Sequence, residues 1–173
     1  IDLTTGKKIW SYSEYVPSGL GLCCGSVNRG FAMLGDRLFK VNIQSTLVAL
    51  EAKSGKVLWD TTIDDYKKGY SNTAAPLSVK DMVVVGTAGA EWGIRGYLDA
   101  YDAATGKRRW RCYTVPTAGE PGIETWGGNS FKTGGGSTWI TGTYDPELNL
   151  IYWGIGNPGP DMDGSVRPGD NLY

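Results

Sequence analysis

Three copies of one short pattern constrain this chain more than any other feature. Asp2-Leu-Thr-Thr-Gly-Lys-Lys-Ile-Trp10, Glu51-Ala-Lys-Ser-Gly-Lys-Val-Leu-Trp59 and Asp102-Ala-Ala-Thr-Gly-Lys-Arg-Arg-Trp110 share an acid, a hydroxyl residue, Gly-Lys and a closing tryptophan. The copies recur about every 50 residues, a period that belongs to repeat architectures. Each copy reads as a turn. The acid and the Ser or Thr hydrogen-bond local backbone, and glycine takes the left-handed position. Strand-forming runs flank it, Thr46-Leu-Val-Ala-Leu50 before the second copy and Val57-Leu-Trp59 after it. A hairpin at this period, with room for four short strands per unit, predicts an all-β fold made of β-propeller blades. A tryptophan at a fixed place after each turn can dock on the neighbouring blade, burying roughly 150–250 Å². Ordinary core tryptophans would be compatible with the same fold.

The expected organisation is a blade end at 1–10, a blade at 11–60, a blade at 61–111 and a partial blade at 112–173. Expected strands fall at 30–34, 37–41, 47–50 and 57–61, then 82–86 and 96–101, then 138–144 and 150–154, with a further strand starting at 171–173. Three and a half blades would leave open sheet edges. The chain also begins at Ile1, with neither Met nor an export signal. The expectation is an internal piece of a longer protein.

Composition supports the turn-rich reading. Glycine accounts for 26 of 173 residues, about twice its usual ~7% share, and it accompanies 7 Trp and 10 Tyr. The charges balance at 17 basic against 18 acidic residues, so nothing favours nucleic acid or an anionic membrane as partner. No apolar run approaches the ~20 residues of a membrane-spanning helix. The chain has no histidine, which removes histidine metal sites and histidine general bases from this stretch.

Three segments depart from the repeat, one in each successive blade, so all could face one central funnel. The first is Cys23-Cys24. Adjacent Cα atoms lie about 3.8 Å apart, below the roughly 4.4–6.8 Å of an ordinary disulfide. The pair is thus either two neighbouring thiols or a strained ring of the kind kept at functional sites. The second is the glycine-rich loop Gly86-Thr-Ala-Gly-Ala-Glu91-Trp-Gly-Ile-Arg-Gly96. The third is Gly134-Gly-Gly-Ser-Thr-Trp139, followed by Gly154-Ile-Gly-Asn157-Pro-Gly-Pro. Taken singly, Glu91 reads as a surface carboxylate and Asn157 as a turn-former before Pro158.

Over essentially its whole length the chain resembles the pyrroloquinoline quinone (PQQ)-dependent alcohol dehydrogenases, periplasmic quinoproteins built on an eight-bladed propeller with tryptophan-docking motifs. The resemblance rests on Cys-Cys-x-x-x-Asn-Arg-Gly at 23–30, Gly-Ala-Glu-x-Gly-Ile-Arg-Gly-Tyr at 89–97, Gly-Gly-Gly-Ser-Thr-Trp at 134–139 and Tyr-Asp-Pro-Glu-Leu-Asn-Leu-Ile-Tyr-Trp-Gly-x-Gly-Asn-Pro at 144–158. It implies that Cys23 and Cys24 form a vicinal disulfide over one face of PQQ and that Trp139 stacks on the other. Arg29 then pairs with a PQQ carboxylate, Thr73 hydrogen-bonds the cofactor, and the backbone of Gly89 and Ala90 lies along the quinone rim. Ala88 stands where part of the family has Ser. Glu91 and Asn157 match metal ligands, and such oxygen donors suit Ca²⁺ with its 6–8 ligands. Ala90 favours Ca²⁺. A lanthanide in its place depends on an extra acid outside this chain.

The implied reaction is oxidation of a small primary alcohol by hydride transfer to metal-bound PQQ, with an electron acceptor such as a cytochrome c and a periplasmic location. The family's catalytic base is an Asp of a later blade, so no residue here is assigned as catalytic. Asp161, Asp163 and Asp170 read as turn residues of a Gly/Pro-rich loop. Trp92, Trp126 and Trp153 read as packing residues, and Cys112 as a buried free thiol. The main alternative is a non-catalytic propeller scaffold. It explains the repeats equally well but not the joint presence of Cys23-Cys24, Glu91 and Trp139. A membrane-bound sugar quinoprotein is a further alternative, disfavoured by the cysteine pair.

Overall fold

A computed structural model describes residues 1–20 and 22–172. Among these, ten strands form three antiparallel sheets. The first sheet contains β1 (Ala32–Leu34), β2 (Arg37–Asn42), β3 (Thr46–Glu51) and β4 (Val57–Thr62), in that order. The second repeats the arrangement with β5 (Leu77–Val79), β6 (Met82–Gly86), β7 (Tyr97–Asp102) and β8 (Arg108–Tyr113). The third pairs β9 (Thr143–Asp145) with β10 (Leu150–Tyr152). Short 3₁₀ turns complete the described structure, and none of its helices is long and apolar enough to cross a membrane.

The repeated turn has the same hydrogen bonds in all three copies. Gly6, Gly55 and Gly106 N–H each donate to the carbonyl of the motif acid, at 2.8 Å. The N–H of each acid in turn donates to the lysine carbonyl, Asp2 to Lys7, Glu51 to Lys56 and Asp102 to Lys107. The glycines have φ of 67°, 73° and 73°, where L side chains are disfavoured. In the third copy, Arg109 and then Thr105 hold the Asp102 carboxyl down to about 2.

The first two motif tryptophans dock on the turn of the following copy. Trp10 Nε1 donates to Ala52 O (3.0 Å) and Trp59 Nε1 to Ala103 O (3.3 Å). The rings lie over the motif glycines. A Cβ on Gly55 would stand 2.4 Å from Trp10, and one on Gly106 would stand 2.6 Å from Trp59. The motif glycine thus answers two demands, a left-handed φ and the space for a ring.

Between the sheets, the period-2 alternation of strand side chains builds two cores. Phe39, Val41, Leu47 and Ala49 of the first sheet meet Val83, Val85, Tyr97 and Tyr101 of the second. The opposite face of the second sheet, with Val84, Ala100 and Leu98, meets Tyr144, Ile151 and Trp153. The second sheet is therefore covered on both faces. That explains the near-continuous apolar run of β6.

One polar network is buried within this packing. The carboxylate of Asp99, with no exposed surface, takes two bonds of 2.7 Å from Arg111, and Tyr101 donates to it at 2.9 Å. Arg111 also reaches Asp64 (3.0 Å) and lies 3.5 Å over the Tyr97 ring. Burial, first of all, pushes the Tyr97 and Tyr101 phenols up.

Several expectations need correction. Residues 30–34 begin pairing only at Ala32, because Arg29 N–H is spent on Thr73 O and Gly30 takes a φ of 127°. Residues 138–144 yield a strand only from Thr143, since Thr138 is tied to Thr87, just after β6, and to Tyr97 of β7. Likewise 150–154 pairs only to Tyr152. Cys112 is a free thiol but exposed, because β8 is the outermost strand of its sheet. Asn171 and Leu172 form no strand, and Tyr173 lies outside the described residues.

Candidate functional site

In each sheet, the start of the first strand and the end of the second lie side by side, as antiparallel pairing requires. The segments at these two positions build a single cleft of about 170 Å³. Cys23, Cys24 and Arg29 lead into β1, Ser71 and Thr73 into β5, and Ser137 and Trp139 into β9. Ala88, Gly89, Glu91 and Trp92 follow β6, and Asn157 follows β10. Glu91 and Asn157 thus occupy equivalent places in successive sheets. In the first sheet that place is the tight turn 43–45, which contributes no wall.

The supports of these side chains are specific. Asn28 Nδ2 donates to Val41 O (3.1 Å) and tethers the cysteine loop to β2. Cys23 and Cys24 are bridged, with their sulfurs 2.07 Å apart. Arg29 Nη1 donates to Thr73 O (3.3 Å), and its guanidinium stands 5.0 Å from the Trp139 ring centroid. Thr73 Oγ1 donates to Trp139 O (3.3 Å), so three separate segments are linked. Asn72 fixes the position of Thr73, accepting from Ser45 Oγ (2.9 Å) and donating to Gly86 O (2.6 Å). Thr138 donates its N–H to Thr87 O (2.8 Å) and sets the base of Trp139.

The triple glycine joins the two oxygen-bearing loops. Gly135 N–H donates to Ile94 O (2.9 Å), just beyond Glu91, and Gly136 N–H donates to Asn157 O (3.0 Å). Gly159 N–H donates back to Gly134 O (2.9 Å). A Cβ on Gly135 would stand 2.5 Å from Gly159 N, and one on Gly96 would stand 2.0 Å from Gly136 O. Three backbones thus lie in contact where side chains would force them apart, which is why the sequence is glycine there.

Every expected site residue lines the cleft except Ala90, which is buried (2% exposed) behind Gly89 and forms no wall. Glu91 is exposed and has no hydrogen-bond or ion-pair partner among the described residues. Trp92, expected to pack, is 51% exposed and lines the cleft. Trp126 is buried and Trp153 donates to Thr138 O (3.2 Å), as packing residues do. Ser71 and Ser137 were not anticipated. The signal for them was their place beside Thr73 and Trp139 in the same runs. Asp163 caps a local turn, accepting from Ser165 N (2.9 Å).

The donor set fits a quinone cofactor with a hard cation. Bridged sulfurs and an indole offer flat faces, Arg29 offers a counter-charge for a carboxylate, and Glu91 and Asn157 offer oxygens. Among the described residues no group of three or more His, Cys, Asp and Glu is placed to hold a metal ion.

Fold and cleft define a tryptophan-docked β-propeller segment whose cleft has the chemistry of a quinone site. The model of the PQQ glucose/ethanol/alcohol dehydrogenase β-propeller domain matches residues 1–173, and the chain belongs to that family. It is 40% identical over 190 residues to quinoprotein alcohol dehydrogenase PedH of Pseudomonas putida, covering 100% of this chain and 32% of that protein. Among solved structures, it is similar to a europium-containing methanol dehydrogenase (TM-score 0.89, 38% identity, 95% of this chain and 32% of that one). It is also similar to quinohemoprotein alcohol dehydrogenase from Comamonas testosteroni (TM-score 0.90, 36% identity, 100% and 28%). The chain spans between 26% and 32% of the length of the curated relatives it matches.

Proposed function

We propose that this chain supplies part of the PQQ- and metal-binding propeller of a quinoprotein that oxidises primary alcohols. One observation carries the reading. Cys23, Cys24, Arg29, Thr73, Gly89, Glu91, Trp139 and Asn157, scattered over the sequence, meet at one cleft. In this reading the blades run 11–60, 61–111 and 112–173, after a blade end at 1–10. The Cys23–Cys24 bridge and Trp139 hold the two faces of the cofactor, using dispersion and stacking. Arg29 pairs with one of its carboxylates, Thr73 hydrogen-bonds it, and the Gly89 backbone follows its rim. Glu91 and Asn157 ligate Ca²⁺ or a lanthanide. Bound PQQ and its cation supply the hydride acceptor and the Lewis acid. The residues of this chain would orient the ring, exclude water from its faces and hold the cation.

The base that takes the alcohol proton is an Asp of a later blade. A cytochrome c accepts the electrons. The compartment is the periplasm, where a bridge between adjacent cysteines persists. The test is a titration of the full-length protein with PQQ in the presence of Ca²⁺, followed by quinone absorbance. Saturable binding that weakens in Trp139→Ala is the expected result. No binding would leave only the non-catalytic scaffold.

A further inference from the structure

Asn157 and the residue four positions on form a pair whose chemistry has a direction. An amide side chain has one oxygen and one NH₂, and their placement follows from the neighbours. Asn157 Nδ2 donates to Asp161 Oδ1 and to Pro158 O (3.1 Å). Both partners are pure acceptors, a carboxylate oxygen and a carbonyl. Reversing the amide would set its oxygen against two others, so the NH₂ is held on the Asp161 side. Asn157 Oδ1 accepts no hydrogen bond among the described residues. Asn157 lines the cleft and Asp161 does not.

The loop that presents Asp161 is anchored beyond it. Arg167 Nη1 donates to Asn171 Oδ1 (2.7 Å), Gly127 N–H to Pro168 O (2.8 Å) and Asn171 N–H to Thr125 O (3.0 Å). Asp163 and Ser165 close their own turn within it.

The geometry points to Asp161 as a positioning residue that locks the Asn157 amide with Oδ1 available to a hard cation. It acts by hydrogen bonding rather than as a ligand, the way a carboxylate orients a metal-bound histidine. This rests on the reading of Asn157 as a cation ligand.

The experiment measures cation affinity, not turnover. The full-length protein, saturated with PQQ, is titrated with Tb³⁺ by luminescence sensitised through Trp92 and Trp139, and with Ca²⁺ in competition. Loss of an outer-shell partner typically weakens metal affinity about 10–100-fold, and Asp161→Ala is expected in that range. Asp161→Asn keeps an acceptor for Nδ2 and should stay within about threefold of the parent, well short of that range. In an Asn157→Asp background the NH₂ is gone, so Asp161→Ala and Asp161→Asn should there change binding equally, since only the attraction of one carboxylate for the cation is lost. Circular dichroism and melting of each variant separate misfolding from these effects, and Asp161→Asn remains informative where Asp161→Ala fails to fold. Unchanged affinity in Asp161→Ala overturns the assignment. So does equal weakening by Ala and Asn beside Asn157, which means that Asp161 acts through its own charge, or a difference between Ala and Asn that persists in the Asn157→Asp background, which means that it does not act through the amide. Asn157→Ala distinguishes the underlying reading: if it binds Tb³⁺ as the parent does, Asn157 is not a ligand and both readings fall. If Asn157→Ala alone weakens binding, only the role of Asp161 falls.

Discussion

Gly106→Ala tests the double demand placed on the motif glycine. Gly106 has a φ of 73°, and an added Cβ would stand 2.6 Å from Trp59 Cε3 and 2.7 Å from Thr61 Oγ1. The backbone contribution is about 1–2 kcal/mol, the cost of a left-handed conformation for an L side chain. The steric contribution is about 1–3 kcal/mol, typical of overpacking in a close-packed site. Together these predict a loss of about 2–5 kcal/mol. Gly35→Ala is the control for backbone alone, since Gly35 has a φ of 62° and nothing within 4 Å of a Cβ. In a Trp59→Ala background the ring is gone but Thr61 Oγ1 remains, so Gly106→Ala should cost less than in the parent while staying above the control value. The assay is urea unfolding of the five full-length proteins, parent and control included, with the coupling taken from the double-mutant cycle. If Gly106→Ala costs no more than Gly35→Ala, or costs the same with and without Trp59, the ring does not press on this turn.

Arg111→Met leaves the buried Asp99 carboxylate with only Tyr101 and, at 3.7 Å, the more exposed Arg108; breaking a buried pair from one side typically costs about 3–5 kcal/mol, and the lower end of that range is expected. Adding Asp99→Asn should recover most of it, measured by the same unfolding assay. Asp102 is held at about 2 against an ordinary 3.8, first by Arg109 and then by Thr105. A carboxyl depressed in the folded state stabilises fully above its unfolded value and loses that contribution as pH falls through its folded value. The parent should therefore lose stability relative to Asp102→Asn between about pH 4 and pH 2, read by melting temperature against pH. Gly135→Ala, with its Cβ 2.5 Å from Gly159 N, should push the Asn157 loop away from the Glu91 loop. Weaker Ca²⁺ binding in the full-length protein, by calorimetry, is the expected result, and unchanged affinity would mean that the triple glycine does not set their separation.

Much of this was legible because the repeat couples local chemistry to tertiary contact. The acid, hydroxyl, glycine and tryptophan of each copy identify a turn, a hairpin and a docking face at once, and β2, β3, β4 and β6 follow from them closely. The site was legible through runs such as Cys-Cys and Gly-Gly-Gly-Ser-Thr-Trp, whose composition no ordinary strand requires. What escaped depends on long-range partners. Residues 138–142 have strand-forming composition, yet Thr138 bonds to Thr87 and Tyr97 across the sheets. Cys112 is apolar enough to suggest burial, but edge position decides its exposure. Ala90 and Trp92 flank Glu91 in one 3₁₀ turn, and a turn of three residues per revolution sends neighbours in different directions. Sequence adjacency to Glu91 therefore could not show which one faces the cleft.

The tryptophan-on-glycine contact has a sense along the chain, since both docked indoles cover the turn of the copy that follows them. Trp10 sits over Gly55 and Trp59 over Gly106. A head-to-tail series of this kind has no internal stop, and it ends only where the last member meets the first or where growth continues as an open spiral. The circumference of such a ring is then set by the angle between neighbouring sheets, not by any one blade. Gain or loss of a whole repeat would therefore close the ring only with a change of that angle at every contact.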